Sequence, residues 1–222
     1  RSLIIRALRN YLDQHEFIEV ETPMLHPIPG GAVAKPFVTH HNTLDMELYL
    51  RIAPELYLKR LIVGGLERVY EVNRCFRNEG ISTRHNPEFT TVELYVAYKD
   101  YRWMMDFTEE MLRHVVTTVV GETSVSFGEH VLDFGKPFER ISMHDAVVKY
   151  AGISEKDLSK TNIDAAMKKH KVSLDKKDAS WGEKLYVLFD NLVESKLIQP
   201  TFITHFPVEV SPLAKRDPEN PD

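Results

Sequence analysis

The sequence has a single cysteine, Cys75, among its 222 residues. One thiol cannot form an intramolecular disulfide, and the Cys/His spacing of a structural zinc site is missing around it. This composition fits a reducing compartment, so we expect a cytoplasmic protein. The sequence also has no apolar run near the ~20 residues that a membrane-spanning helix needs, and we expect no membrane partner.

Positive charge is not in excess, since 28 Lys and Arg stand against 33 Asp and Glu, for a formal net charge of −5. The sequence therefore lacks the broad basic surface that binds nucleic acid through its field alone. If RNA is a partner, it must dock on local patches or on a part of the protein outside this sequence. A GxGxxG or Walker loop is also missing, so any nucleotide must be bound in another way.

Hydrophobic residues make up 43% of the chain, which is enough for one substantial core. Runs of β-branched and aromatic residues predict strands over 17–20, 47–52, 68–76, 89–98 and 200–206, with short strands around Val125, Leu132 and Phe138. Apolar spacing and capping residues predict helices up to about His15 and from near Pro54, Asp100, Ser142, Asn162 and Ser180. Antiparallel strands with helices at both ends of the chain indicate an α+β fold, which we expect to form one domain over 1–222.

The most informative segment is a predicted strand that ends in Phe76-Arg77-Asn78-Glu79, followed by a polar connection and a second strand near Phe89. This pattern resembles motif 2 of the class II aminoacyl-tRNA synthetases. A rigid guanidinium suits the adenylate formation that the resemblance implies, because it can hold a carboxylate nucleophile and an α-phosphate together and can offset the charge that develops during in-line attack. From the residues alone, Arg77 and Glu79 could instead form an exposed ion pair that contributes little.

The resemblance to motif 2 implies that the chain takes part in forming an adenylate from ATP. It assigns Arg77 the catalytic role at the carboxylate and the α-phosphate. It also implies that Glu79 accepts a hydrogen bond from the adenine amino group, and that His85 lies near the outer phosphates with Asn86 beside it. Phe89 would stack on the base.

Upstream, Phe17-Ile18-Glu19-Val20-Glu21-Thr22-Pro23 resembles motif 1 of the same family, which builds a dimer interface and ends at a proline. The resemblance therefore implies a homodimer with Pro23 at its interface. From the residues alone, this proline could simply end a strand.

Three further segments resemble the lysine pocket of lysyl-tRNA synthetases, namely Gly30-Gly31-Ala32, Ala53-Pro54-Glu55-Leu56 and Val92-Glu93-Leu94-Tyr95. A substrate with two ammonium groups needs anionic partners, and its carboxylate needs a cation. The resemblance places Glu55 and the Gly31 backbone near the α-ammonium and Arg77 at the carboxylate, with Glu93 and Tyr95 along the side chain. These last two are two positions apart on a predicted strand, so they share a face. Without the resemblance, Glu55 is a first-turn carboxylate that the helix dipole favours.

The resemblance covers the whole sequence and implies part of the catalytic domain of a bacterial-type lysine–tRNA ligase. Such an enzyme activates L-lysine with ATP and Mg²⁺ and transfers it to tRNA(Lys). The first residue is Arg1 and not Met, so we expect the chain to begin inside a longer polypeptide, after an anticodon-binding β-barrel. We expect motif 3 and the metal ligands beyond Asp222, with none within this chain. The fragment alone is then expected to have little or no activity.

Two alternatives stay open. One is the paralogue that transfers a lysyl group to a translation elongation factor, although Gly30-Gly31-Ala32 and Ser211-Pro212-Leu213-Ala214-Lys215 favour the tRNA ligase. The other is a non-catalytic module that binds lysine or nucleotide and dimerises. Such a module has no need for all the residues assigned to adenylate formation and lysine binding, which are present here as Arg77, Glu79, Glu55 and Glu93.

Overall fold

The computed structural model describes residues 1–83, 85–176 and 178–217, and its chain forms two compact units, Arg1–Val115 and Val116–Asp222. The helices are α1 (Ser2–Gln14), α2 (Glu55–Val63), α3 (Tyr101–Val120), α4 (Met143–Ala146), α5 (Ile163–Lys169) and α6 (Trp181–Leu192). In these ranges none of the helices is both long and apolar enough to cross a membrane. The single domain expected over 1–222 stays a prediction.

The strands are short except for two central ones of nine residues each. They are β1 (Ile18–Glu19), β2 (Leu25–His26), β3 (Val38–His41), β4 (Met46–Leu50), β5 (Arg68–Phe76), β6 (Glu88–Val96), β7 (Ser124–Phe127), β8 (His130–Asp133), β9 (Glu139–Ser142) and β10 (Thr201–Thr204). Their mixture with separate helices confirms the α+β class that the sequence predicts.

The first unit is built on a sheet of order β1-β5-β6. The pairing of β5 with β6 is antiparallel, from Arg68 opposite Val96 to Phe76 opposite Glu88. A second sheet of order β2-β4-β3 is antiparallel throughout. The two long strands therefore form a hairpin whose open connection follows Phe76.

One face of the β5-β6 hairpin is packed into the core of the first unit. Tyr70 from β5 is buried there with residues of α1 and α3, namely Tyr11, Leu12, Phe107 and Met111. Val92, Leu94 and Val96 of β6 pack against the same cluster. Because side chains alternate along a strand, Glu93 and Tyr95 share the opposite face. That face, which also carries Glu71, Asn73, Cys75, Phe89 and Thr91, is called the polar face below.

The second unit buries its core between short helices. Met143 and Val147 are buried against Leu185 and Leu188 of α6. Ser142 begins α4 by accepting a hydrogen bond from the Asp145 backbone, and a capping box of Ser180 with Glu183 begins α6. Both helix starts are those predicted from the sequence. A π-helix, Val147–Ala151, continues α4 up to Gly152, and a 3-10 turn, Glu194–Lys196, follows α6.

Two strand pairs depart from the expected antiparallel arrangement. β1 is parallel to β5, and β9 is parallel to β10. Each pair is separated by a long stretch of chain with at least one helix, which can return the second strand in the same direction as the first. The sequence also failed to predict β2 and β3. β2 has two residues and is too short to show alternation, and β3 carries Thr39, His40 and His41.

Candidate functional site

The β5-β6 hairpin fixes Arg77 directly after the end of β5. The Arg77 backbone N–H donates to the Pro87 carbonyl at 2.8 Å, which closes the base of the connection. Its guanidinium carbon lies 5.2 Å from the centroid of the Phe89 ring, a cation–π contact. Nε of Arg77 is buried, and among the described residues it has no hydrogen-bond partner. A buried donor without a partner is costly, so this guanidinium is suited to an anionic ligand.

Glu79 is held against the segment that precedes β3. The Lys35 backbone N–H donates to the Glu79 carboxylate at 3.2 Å, and the Asn78 N–H donates to the Lys35 carbonyl at 2.7 Å. These contacts place the carboxylate on a backbone amide and not on Arg77. The ion pair considered as an alternative is therefore not among the contacts of the described residues.

His85 and Asn86 lie in the exposed connection of the hairpin. Nδ1 of His85 is 2.9 Å from Oγ of Ser82, and the His85 backbone N–H donates to the same oxygen at 3.1 Å. In the described part of the connection, no contact joins either residue to Arg77. The structure therefore brings Arg77 and Phe89 together, and it leaves His85 and Asn86 at the surface.

Gly31 and Glu55 meet at the start of α2. Gly31 has φ +86°, and a Cβ placed on it would lie 3.1 Å from Cβ of Glu55 and 3.3 Å from Cβ of Ala53. Glycine at this position thus meets both a conformational and a spatial requirement. Glu55 is the first residue of α2, with its side chain 26% exposed, and it forms an ion pair with Lys59 one turn later.

Glu93 and Tyr95 form a hydrogen-bonded pair on the polar face, with the Tyr95 hydroxyl donating to Glu93 at 3.3 Å. Burial raises the pKa of Glu93, the charges of Glu55 and Glu71 raise it further, and Tyr95 and Arg51 oppose the change. Burial, followed by the charges of Glu93 and Glu55, also raises the pKa of Tyr95. These groups form a desolvated acidic cluster that a bound cation would stabilise.

Pro23, expected at a dimer interface, is exposed, and its carbonyl lies 2.8 Å from Nε2 of the buried His26. The preceding residue, Thr22, donates its hydroxyl to Glu71 at 2.6 Å. The segment around Pro23 is thus tied to the central sheet. The homodimer itself stays a prediction.

Sequence reasoning gave no role to Arg51 and Glu71, although they stand in the predicted strands over 47–52 and 68–76. Their side chains are 0% and 1% exposed, and Nη1 of Arg51 lies 2.7 Å from Oε1 of Glu71. The available signal was a lone carboxylate in the apolar run Val69-Tyr70-Glu71-Val72. A fully buried ion pair between a residue that follows β4 and a residue of β5 requires a specific explanation.

Among the residues that the structure describes, no group of three or more His, Cys, Asp or Glu side chains could hold a metal ion. The described residues therefore do not fit a magnesium site, and no step proposed below passes through the metal. The expectation that its ligands lie beyond Asp222 stays a prediction.

The family model that matches the chain and three of its similar relatives all belong to the tRNA synthetases. A family model described as tRNA synthetases class II (D, K and N) matches residues 1–222. Proteins named lysine--tRNA ligase from Actinobacillus pleuropneumoniae serotype 5b (strain L20) and Syntrophomonas wolfei are 55% and 57% identical to the chain over 223 residues. Escherichia coli (strain K12) has a relative named "Lysine--tRNA ligase, heat inducible", 54% identical over 225 residues.

Each of these three alignments covers 100% of this chain but only 44% or 45% of the relative. The chain thus spans less than half the length of the curated relatives it matches. The identity confirms the resemblance to bacterial lysyl-tRNA synthetases that the motifs indicate.

Proposed function

Because this chain belongs to the class II tRNA synthetases of the D, K and N group, we propose that it supplies part of the catalytic domain of a cytoplasmic lysine–tRNA ligase. The observation that carries the proposal is the polar face. It has a guanidinium over an aromatic ring at one end, Arg77 and Phe89, and a buried acidic pair further along, Glu93 and Tyr95. Four strand positions separate Phe89 from Glu93, about 13 Å. A ligand with a nucleobase at one end and an ammonium group at the other could therefore place the nucleobase at Phe89 and the ammonium group at Glu93.

At the nucleotide end, the proposal assigns the adenine ring to Phe89 and its amino group to Glu79. The Glu79 carboxylate already accepts one backbone N–H and has a second oxygen for the base. Arg77 holds the lysine carboxylate and the α-phosphate, and its buried Nε supplies a donor without another partner in the described chain. Its positive charge offsets the negative charge that grows on the phosphoryl oxygens during attack.

The reaction follows from this placement. A lysine carboxylate oxygen forms a bond to the α-phosphorus, the bond from that phosphorus to the bridging oxygen breaks, and pyrophosphate leaves with the electron pair. A ribose hydroxyl at the 3′ end of tRNA(Lys) then attacks the carbonyl carbon of the adenylate, the bond from that carbon to the phosphate oxygen breaks, and AMP leaves while the hydroxyl proton passes to solvent. We assign His85 and Asn86 to the outer phosphates, which their exposed connection can approach.

At the amino-acid end, the proposal assigns the α-ammonium to Glu55 and the Gly31 backbone and the ε-ammonium to Glu93 and Tyr95. The charge of Glu55 raises the pKa of Glu93, so an ammonium group bound beside each carboxylate would offset the repulsion between them. The proposal includes a homodimer with Pro23 at its interface and Mg²⁺ held outside the described residues.

Substitution of Gly31 by alanine tests the amino-acid end. A left-handed backbone costs an L-residue about 1–2 kcal/mol, and the added Cβ would crowd Glu55 at 3.1 Å. We expect the KM for lysine to rise about tenfold, with the KM for ATP nearly unchanged. The matched control is Gly65→Ala, since Gly65 has φ +99° but a Cβ there would meet nothing within 4 Å. If both variants raised the KM for lysine equally, Gly31 would not be part of the lysine pocket.

The proposal as a whole is tested by ATP–pyrophosphate exchange with the naturally produced protein. We expect exchange that depends on lysine and is not supported by aspartate or asparagine. Radioactive lysine should then appear on RNA, where ribonuclease releases it. Label on a protein acceptor would favour the elongation-factor paralogue. The absence of lysine-dependent exchange would contradict the enzyme and favour the non-catalytic module.

A further inference from the structure

Arg51 links the two sheets of the first unit. Its backbone N–H donates to the Met24 carbonyl at 2.8 Å, and its carbonyl accepts from the Phe76 N–H at 2.9 Å. Met24 follows the proline assigned to the interface, and Phe76 immediately precedes Arg77. Glu55 lies four residues after Arg51, at the start of α2. The position of Arg51 is therefore coupled to both ends of the proposed site.

The side chain of Arg51 uses Glu71 as its counter-ion. Nη1 lies 2.7 Å from Oε1 of Glu71, and Nε donates to the Arg74 carbonyl at 2.8 Å. Oε1 also accepts from Asn73 and from the Thr22 backbone, both at 3.2 Å. The Thr22 hydroxyl donates to Oε2 at 2.6 Å. Both oxygens of Glu71 are thus occupied by protein groups.

Glu71 and Glu93 stand directly opposite each other in the β5-β6 register. Like charges directly opposite across strands repel each other. Apart from Glu71, the charged groups that act on Glu93 are Glu55 of α2, which raises its pKa, and Arg51 after β4, which lowers it. On the hairpin itself, Tyr95 of β6 donates a hydrogen bond to Glu93, and the charge of Glu93 raises the pKa of Cys75 of β5. Of the groups named, Arg51 is the cation.

We propose that Arg51 is a positioning residue for lysine recognition, which neutralises Glu71 so that Glu93 remains the ionised carboxylate on the polar face that binds the ε-ammonium. The inference rests on the proposed function and adds to it a residue that contacts no substrate. This role explains why a buried Arg51–Glu71 pair lies directly opposite Glu93. Arg51 bonds Glu71 through Nη1. Its Nη2 is also buried, and this atom has no hydrogen-bond partner in the described chain.

Removal of Arg51 leaves Glu71 and Glu93 facing each other without a cation. Two such carboxylates share a proton, and one pKa rises. Lysine binding needs ionised Glu93, so affinity is full above this pKa and is lost as the pH falls through it. Arg51→Met should therefore move the loss of lysine affinity to higher pH. Glu71→Gln removes the facing carboxylate and should move the loss to lower pH.

The experiment measures the KM for lysine in ATP–pyrophosphate exchange from pH 5.5 to 8.5, with the naturally produced protein and its variants. For Arg51→Met we expect a midpoint about one pH unit higher and a KM for lysine about tenfold higher at neutral pH, with the KM for ATP unchanged. For Glu71→Gln we expect a lower midpoint. The double variant Arg51→Met/Glu71→Gln should lie close to wild type.

Arg74→Met is the matched control, because Arg74 is exposed on β5 and pairs with Glu88 away from the pocket. It should leave the midpoint unchanged. If Arg51→Met fails to fold, the shift of the midpoint to lower pH that we expect in Glu71→Gln still tests the inference. Wild-type exchange with unshifted midpoints in the folded variants would overturn this inference alone. The absence of lysine-dependent exchange in wild type would overturn it together with the proposed function.

Discussion

Substitution of Arg77 by alanine should lower the rate of lysine-dependent adenylate formation about 10²- to 10³-fold. The guanidinium lies against Phe89 with a buried Nε that lacks a partner in the described residues, so it is placed to bind an anion. Its interaction is strongest when negative charge has grown on the α-phosphoryl group. The loss should therefore fall mainly on kcat. Pre-steady-state adenylate formation, measured as the pyrophosphate burst at saturating lysine and ATP, provides the measurement.

Arg74→Ala is the control for this experiment, because it removes the same kind of side chain three residues earlier, on β5. Arg74 forms an ion pair with Glu88 in which both side chains are about half exposed, at 47% and 54%. We expect its burst rate to stay close to wild type. Arg77→Lys retains the charge but loses the planar two-donor geometry, and it should be intermediate. A burst in Arg77→Ala within threefold of wild type would show that another group stabilises the transition state.

Substitution of Glu71 by leucine should lower the free energy of unfolding by about 3–5 kcal/mol, because it leaves the Arg51 guanidinium buried without its counter-ion. Arg51→Met/Glu71→Leu removes both charges and should recover most of that loss. Urea denaturation followed by circular dichroism provides the comparison, and the midpoint should be lowest for the single variant.

Glu88→Leu serves as the exposed counterpart, since it removes a carboxylate that pairs with an arginine at the surface. Its midpoint should change little. A double variant as unstable as Glu71→Leu would mean that the network of Thr22, Asn73 and Arg51 stabilises the fold through its hydrogen bonds and not through charge balance.

Much of the first unit could be predicted because its central strands carry a strong local signal. β5 spans Arg68–Phe76, as the sequence predicts, and Glu93 and Tyr95 share one face of β6 as expected, with Leu94 and Val96 packed against the core on the other. Helix starts were also predictable, since caps such as Ser142 act on backbone groups within one turn.

What could not be predicted depends on residues that are distant in sequence. Arg51 and Glu71 are twenty positions apart, and nothing in a single sequence states that two charged residues will share one buried site. The close approach of Gly31 to Glu55 was unpredictable for the same reason, because these residues are also distant in sequence. A pair of glycines indicates a turn, but the close approach to α2 depends on how the segment folds back. For the parallel pairing of β1 with β5, the intervening chain decides the direction.

A crystal structure of the naturally produced protein with lysine and a non-hydrolysable ATP analogue tests the central claim most directly. We expect adenine against Phe89, the lysine carboxylate and the α-phosphate at Arg77, the α-ammonium at Glu55 and the ε-ammonium at Glu93. Lysine bound with its ε-ammonium away from Glu93, or the nucleotide bound away from Arg77 and Phe89, would contradict it.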